Sequence, residues 1–275
     1  RWTACEPVEP ADLTGRIRCA LLQRARYCTG NEGFQCWNQI FAEAARWGFC
    51  MKNRLLIHSG HVLTMAGPAH PEGCVYIEDG KIMEVTGGLD RLRSPAGRRM
   101  AETLARECVA GKKGRGRIVP LEGSSRESSE ASMLLDASGC LVMPGLIEAH
   151  CHMGITEEKK GTEGDDCNEN VSPVTPWLRA IDAVNTMDAA FDDAVRAGIT
   201  SVMAGPGSAN VVGGQFAFIK TKGRCIDELI VKAPAALKVA FGENPKVNYS
   251  GQGKSPSTRM AIAGILREEL TGALS

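Results

Sequence analysis

The sequence predicts an α/β protein, with a small antiparallel sheet first and parallel β/α units after it. Short β-type apolar runs crowd residues 54–86 around an Asp-Gly turn. Beyond residue 134, strand-like runs alternate with helical spacing. The chain has 275 residues, 43% hydrophobic and 23% charged, enough apolar material for one large domain or two modest ones.

Residues 1–52 read as an atypical N-terminal extension. They hold Trp2, Trp37, Trp47 and five cysteines and show no strand period. A Met at position 51 stands just before the first regular pattern, so upstream read-through is the expectation, with a short helical extension as the alternative. In 53–91 the runs Leu55-Leu56-Ile57, His61-Val62-Leu63-Thr64-Met65, Cys74-Val75-Tyr76-Ile77 and Lys81-Ile82-Met83-Glu84-Val85 are strands, and Glu78-Asp79-Gly80-Lys81 is a hairpin turn. Residues 92–133 read as a low-complexity basic insert. From Arg91 to Arg126 there are ten basic residues against three acidic ones, with runs such as Gly111-Lys112-Lys113-Gly114-Arg115-Gly116-Arg117. A solvated, flexible segment is expected there, with helical structure only over 100–109. The β/α rhythm follows: a buried strand and its loop over 141–155, a helix over 175–197 capped by Gly198, a strand over 200–204, a third over 235–241, and a helix over 258–270 N-capped by Ser257.

Composition excludes several classes. Lys+Arg and Asp+Glu balance at 32 each, so no net charge draws the chain to nucleic acid or an anionic membrane. No apolar run approaches the roughly 18 residues of a membrane span, and no signal-type apolar region follows the N-terminus. The eleven cysteines form no C-x-x-C pair, and scattered reduced thiols in a cytoplasmic protein are the expectation.

The chemistry sits in Pro144-Gly145-Leu146-Ile147-Glu148-Ala149-His150-Cys151-His152. Residues two apart on a strand share a face, so His150 and His152 aim two imidazoles at one point. Paired neutral imidazoles suit Zn²⁺ and similar ions. Glu148 lies on the same face as an orienting group. The pair ends an apolar strand, where a β/α barrel puts its catalytic groups.

This segment resembles the amidohydrolase superfamily, whose first barrel strand reads close to P-G-hydrophobic-[IV]-D-x-H-x-H; Glu148 stands here where Asp is more usual. The 54–86 strands resemble the small β-sandwich that precedes the barrel in that family. Gly242-Glu243-Asn244-Pro245-Lys246 and Pro256-Ser257-Thr258-Arg259-Met260 look closest to its imidazolonepropionase-like branch. The resemblance implies a partial (β/α)₈ TIM-like barrel over 144–275, preceded by a β-sandwich from 53–91 and 134–143. It implies one or two divalent metals, Zn²⁺ foremost, and hydrolysis of a non-peptide C–N bond through a metal-activated water. An N-acetyl-sugar deacetylase and an inactive truncated homologue are the alternatives.

In the family, further ligands come from later strands. No histidine follows His152, and residues 144–275 number only 132, where a full barrel needs about 200 to 250. The later histidines and the general-base Asp are therefore expected beyond Ser275, and the chain by itself is expected to be inactive. Within the chain, Glu243 just past the third strand is the expected third ligand, with a helix or turn cap as its alternative role. Lys238, a charge inside an apolar strand, is the candidate for a carboxylated bridging lysine. Gly205-Pro206-Gly207-Ser208 and Gly213-Gly214-Gln215 are candidates to shape an active-site loop after the second strand, with glycines that serve only the turns as the equal alternative. The expected partner is a small-molecule substrate, with no nucleic acid and no membrane; homo-oligomerisation is compatible with the sequence.

Overall fold

The computed structural model describes residues 52–109, 118–120, 130–158 and 160–275. The expected N-terminal extension, apart from Lys52, and the runs at 111–117 and 124–129 lie outside them. The chain divides into two compact units between Gly145 and Leu146.

In the first unit, β1 (Lys52–Val62), β2 (His70–Glu78), β3 (Lys81–Thr86), β4 (Ile118–Pro120), β5 (Glu130–Asp136) and β6 (Leu141–Val142) form one mixed six-stranded sheet. The strands expected to build a sandwich thus share a single sheet, ordered β3-β2-β1-β5-β4, with β6 also on β1. Asp79 and Gly80 turn β2 into β3 with φ of 49° and 72°, the left-handed pair that a tight hairpin turn needs. The run at 55–57 and the first two residues of the run at 61–65 lie on one strand, β1, whose register shifts between Ile57 and Gly60. A side chain at Gly60 would collide with Val142 and Ala137.

Strand alternation gives this sheet two apolar faces. Leu55, Ile57, Val75, Ile77 and Leu135 share one cluster. Leu56, Cys74, Tyr76 and Leu134 form the other, covered by Leu92 and by Met100 of helix α1 (Pro95–Val109). The helical structure expected over 100–109 therefore begins earlier, at Pro95, and packs on the sheet. Ala96, Met100, Ala101 and Leu104 supply an apolar stripe, and the exposed positions include Arg98, Arg99 and Arg106. The Glu84 carboxylate fixes the start of α1 by accepting the backbone N–H groups of Arg93 (2.8 Å) and Ser94 (3.1 Å).

The second unit carries β7 (Leu146–Cys151), α2 (Ala189–Arg196), β8 (Ile199–Ala204), β9 (Val212–Lys220), the short helix α3 (Ile226–Leu229), β10 (Ile230–Val239), α4 (Glu243–Ser250) and α5 (Arg259–Leu274). Its sheet runs β10-β9-β8-β7. β7 and β8 are parallel and joined through α2, the expected β/α unit. β9 then runs antiparallel to both β8 and β10. The expectation of three consecutive parallel strands is corrected on this point, although β10 does run in the direction of β7 and β8. β9 escapes a sequence reading because Gly213-Gly214-Gln215 at its start resembles a loop.

The helix expected over 175–197 is confined to α2, residues 189–196. Residues 174–179 instead pair with β9 through bridges Val174–Val212 and Arg179–Gln215. The Thr175 hydroxyl, placed to donate to the carbonyls of Val212 and Gly213 (both 3.1 Å), holds them there. Asp188 caps α2 by accepting from Ala190 N–H. At α5 the cap is Thr258, not Ser257, and it accepts from Ala261 N–H at 3.1 Å. The strand expected to be buried, β7, has one neighbour and lies exposed, Ile147 at 63%. No described helix is long and apolar enough to cross a membrane.

Candidate metal centre

Alternation along β7 separates two environments. Cys151 and Met153 pack against the cluster of Phe191, Val202, Ala204, Ala217 and Ile219. Glu148, His150 and His152 therefore take the opposite face of the sheet. Cys151 pairs with Ala204, and Ala204 with Ala217, so His152, Gly205 and Phe216 meet at one end of the sheet. Lys238 arrives at that end because it pairs with Gly214.

The His150 and His152 ring centres are 5.3 Å apart, with planes at 88°. Two imidazoles sharing one zinc at about 2.0–2.1 Å per bond and a near-tetrahedral angle place their centres roughly 5 Å apart. The spacing observed fits a shared ion. His152 Nδ1 lies 2.7 Å from the Gly205 carbonyl oxygen. A carbonyl only accepts, so Nδ1 donates and Nε2 keeps its lone pair. Glu148 accepts the backbone N–H of His150 at 3.0 Å, so it fixes the strand beneath the pair rather than an imidazole. Although His150 is exposed, desolvation by its immediate neighbours lowers its imidazole pKa from the ordinary value; Lys238 and His152 push the same way and Glu148 opposes them. The neutral form is the one that ligates.

The two further ligand candidates lie in different surroundings. Lys238 is half-buried, with Nζ 5.8 Å from the centre of the Phe216 ring, and its charge acts on His150. Glu243 is exposed at the first residue of α4, where a carboxylate complements the helix dipole. Among the described residues no three His, Cys, Asp or Glu side chains gather to hold a metal. Phe216, buried at 5% and 5.4 Å from His150 ring to ring, is the site residue that the sequence reading did not identify. The sequence marks Gly205 only as part of a loop, and no local signal singles out its carbonyl as a histidine partner.

The chain is 31% identical over 159 residues to amidohydrolase tasK of Hapsidospora irregularis, a match that covers 53% of this chain and 16% of that protein. It superposes on the crystal structure of an amidohydrolase from Thermotoga maritima MSB8 with a TM-score of 0.63 and 33% identity, over 79% of this chain and 47% of that one. The chain is thus similar to two amidohydrolases, and it spans less than half the length of each. No protein-family profile matches it.

Proposed function

We propose that this chain supplies the histidine pair of a metal-dependent hydrolase that cleaves a non-peptide C–N bond in a small amide or cyclic amide. The observation that carries the reading is the 5.3 Å spacing of His150 and His152, with the His152 Nδ1–H turned onto the Gly205 carbonyl. His150 and His152 would hold the ion, Zn²⁺ by donor type. A second ion would need a bridging group, for which carboxylated Lys238 is the candidate within this chain. Its placement beside His150 favours it over Glu243.

A divalent metal bound there supplies Lewis-acid polarisation of a carbonyl and an acidified water. The chain's own residues prepare for that chemistry. Gly205 holds His152 in the tautomer that leaves Nε2 free, Phe216 walls off one side of His150, and Glu148 pins the strand. Hydrolysis itself is proposed for the whole fold, since this chain spans 47% of the solved relative. The imidazolonepropionase-like branch is proposed from the runs at 242–246 and 256–260.

Titration of the metal-stripped chain with Zn²⁺ tests the reading by calorimetry. Saturable binding is expected, and His150→Ala or His152→Ala should weaken it by more than the roughly 10- to 100-fold typical of supporting partners. Equal binding by H150A/H152A would reject the assignment.

A further inference from the structure

We infer that Gly205 and Phe216 form a brace that fixes the tautomer of His152 and the seat of His150, making both positioning residues of the pair. The inference rests on the metal reading of those histidines. The loop after β8 is bolted to the end of β7 in both directions. Gly205 N–H donates to the Cys151 carbonyl at 3.2 Å, and the Gly205 carbonyl accepts from His152 Nδ1 at 2.7 Å. A free histidine favours the opposite, Nε2–H tautomer, so this bond does chemical selection as well as packing.

The second half of the brace is steric. A side chain at Gly205 would overlap the Phe216 ring at Cγ and both Cδ atoms, so the backbone lies directly on the ring. The same ring meets His150 at 5.4 Å, tilted by 57°, and has the Lys238 ammonium over it. With 5% exposure it has little room to retreat. A disturbance at Gly205 therefore reaches His152 through the carbonyl and His150 through the ring. β9 carries no candidate ligand, yet it supports the site through Phe216.

The test uses the full 275-residue chain, labelled with ¹⁵N-histidine and stripped of metal, read by long-range ¹H–¹⁵N correlation above pH 7.5. His152 is expected with Nδ1 protonated and Nε2 bare. Gly205→Ala should shift His152 toward the Nε2–H form and weaken Zn²⁺ binding about 10- to 100-fold, with hydrogen-exchange protection of β8 retained. Phe216→Leu should keep the His152 tautomer and move the His150 resonances and the visible bands of the Co²⁺-loaded protein. A wild-type His152 found in the Nε2–H form overturns the brace whatever zinc does, and needs no variant to fold. Unchanged tautomer and zinc affinity in a folded G205A also overturns it. Failure of the metal reading shows separately, as zinc binding that survives H150A/H152A.

Discussion

Replacing Met100 with Ala tests whether α1 is a working part of the first unit. Met100 is 3% exposed and packs with Leu56, Cys74, Tyr76, Leu92 and Leu134. The change removes three side-chain heavy atoms beyond Cβ. At about 0.8 kcal/mol per methylene-sized group the transfer loss is about 2 kcal/mol. Incomplete collapse around the gap raises the total to roughly 2–4 kcal/mol. The helix is a surface layer and can settle inward, so about 3 kcal/mol is the working figure, or roughly a 100-fold rise in the opening equilibrium. Native-state hydrogen exchange reads it at the amides of Leu56, Tyr76 and Leu134. Arg98→Ala, at an exposed position of the same helix, should change those amides by less than about 0.5 kcal/mol. If M100A exchanges like the wild type, or if 95–106 exchanges as fast as free peptide, the packed-helix account fails.

Acid should loosen the first unit through His58, which is 6% exposed; burial lowers its pKa and Asp136 opposes the shift. The native state then binds fewer protons than the unfolded one, so this contribution is complete above about pH 6.5 and is lost as pH falls through the depressed value. The urea midpoint should drop between pH 7.5 and 5, and His58→Phe should reduce the drop; an unaltered drop would clear His58. Asp188→Ala should cost about 1 kcal/mol of α2 stability, because its carboxylate accepts from Ala190 N–H (3.3 Å) and Glu158 N–H (3.2 Å). Exchange rates over 189–196 report it, and Asp188→Asn should restore most of the loss. If Lys238 bridges two ions as a carbamate, zinc-loaded protein in ¹³C-bicarbonate should show a carbamate carbon by NMR that Lys238→Met lacks. A spectrum without that carbon would leave Lys238 as an ordinary ammonium beside Phe216.

What a sequence shows depends on whether the determining contacts are local. The Asp79-Gly80 hairpin and the alternation of Leu55, Leu56 and Ile57 between two faces are encoded within a few residues, and the structure has both. The His150-x-His152 pair is legible for the same reason. The start of α1 is hard to read because its apolar stripe of Ala96, Met100, Ala101 and Leu104 is narrow and lies inside a longer segment rich in arginine and lysine. Residues 175–188 have helical apolar spacing, but Thr175 and Gln215 tie that backbone to β9. Gly205, Phe216 and Lys238 come together through the register of four strands, and no window of neighbouring residues contains that information.

The central claim is that His150 and His152 ligate one ion. X-ray absorption at the zinc edge of the metal-loaded chain measures this directly. The account predicts imidazole scattering from two histidines with Zn–N distances of about 2.0–2.1 Å, and loss of that signal in H150A/H152A. A first shell of oxygen alone, or an imidazole signal that survives the double substitution, would contradict it.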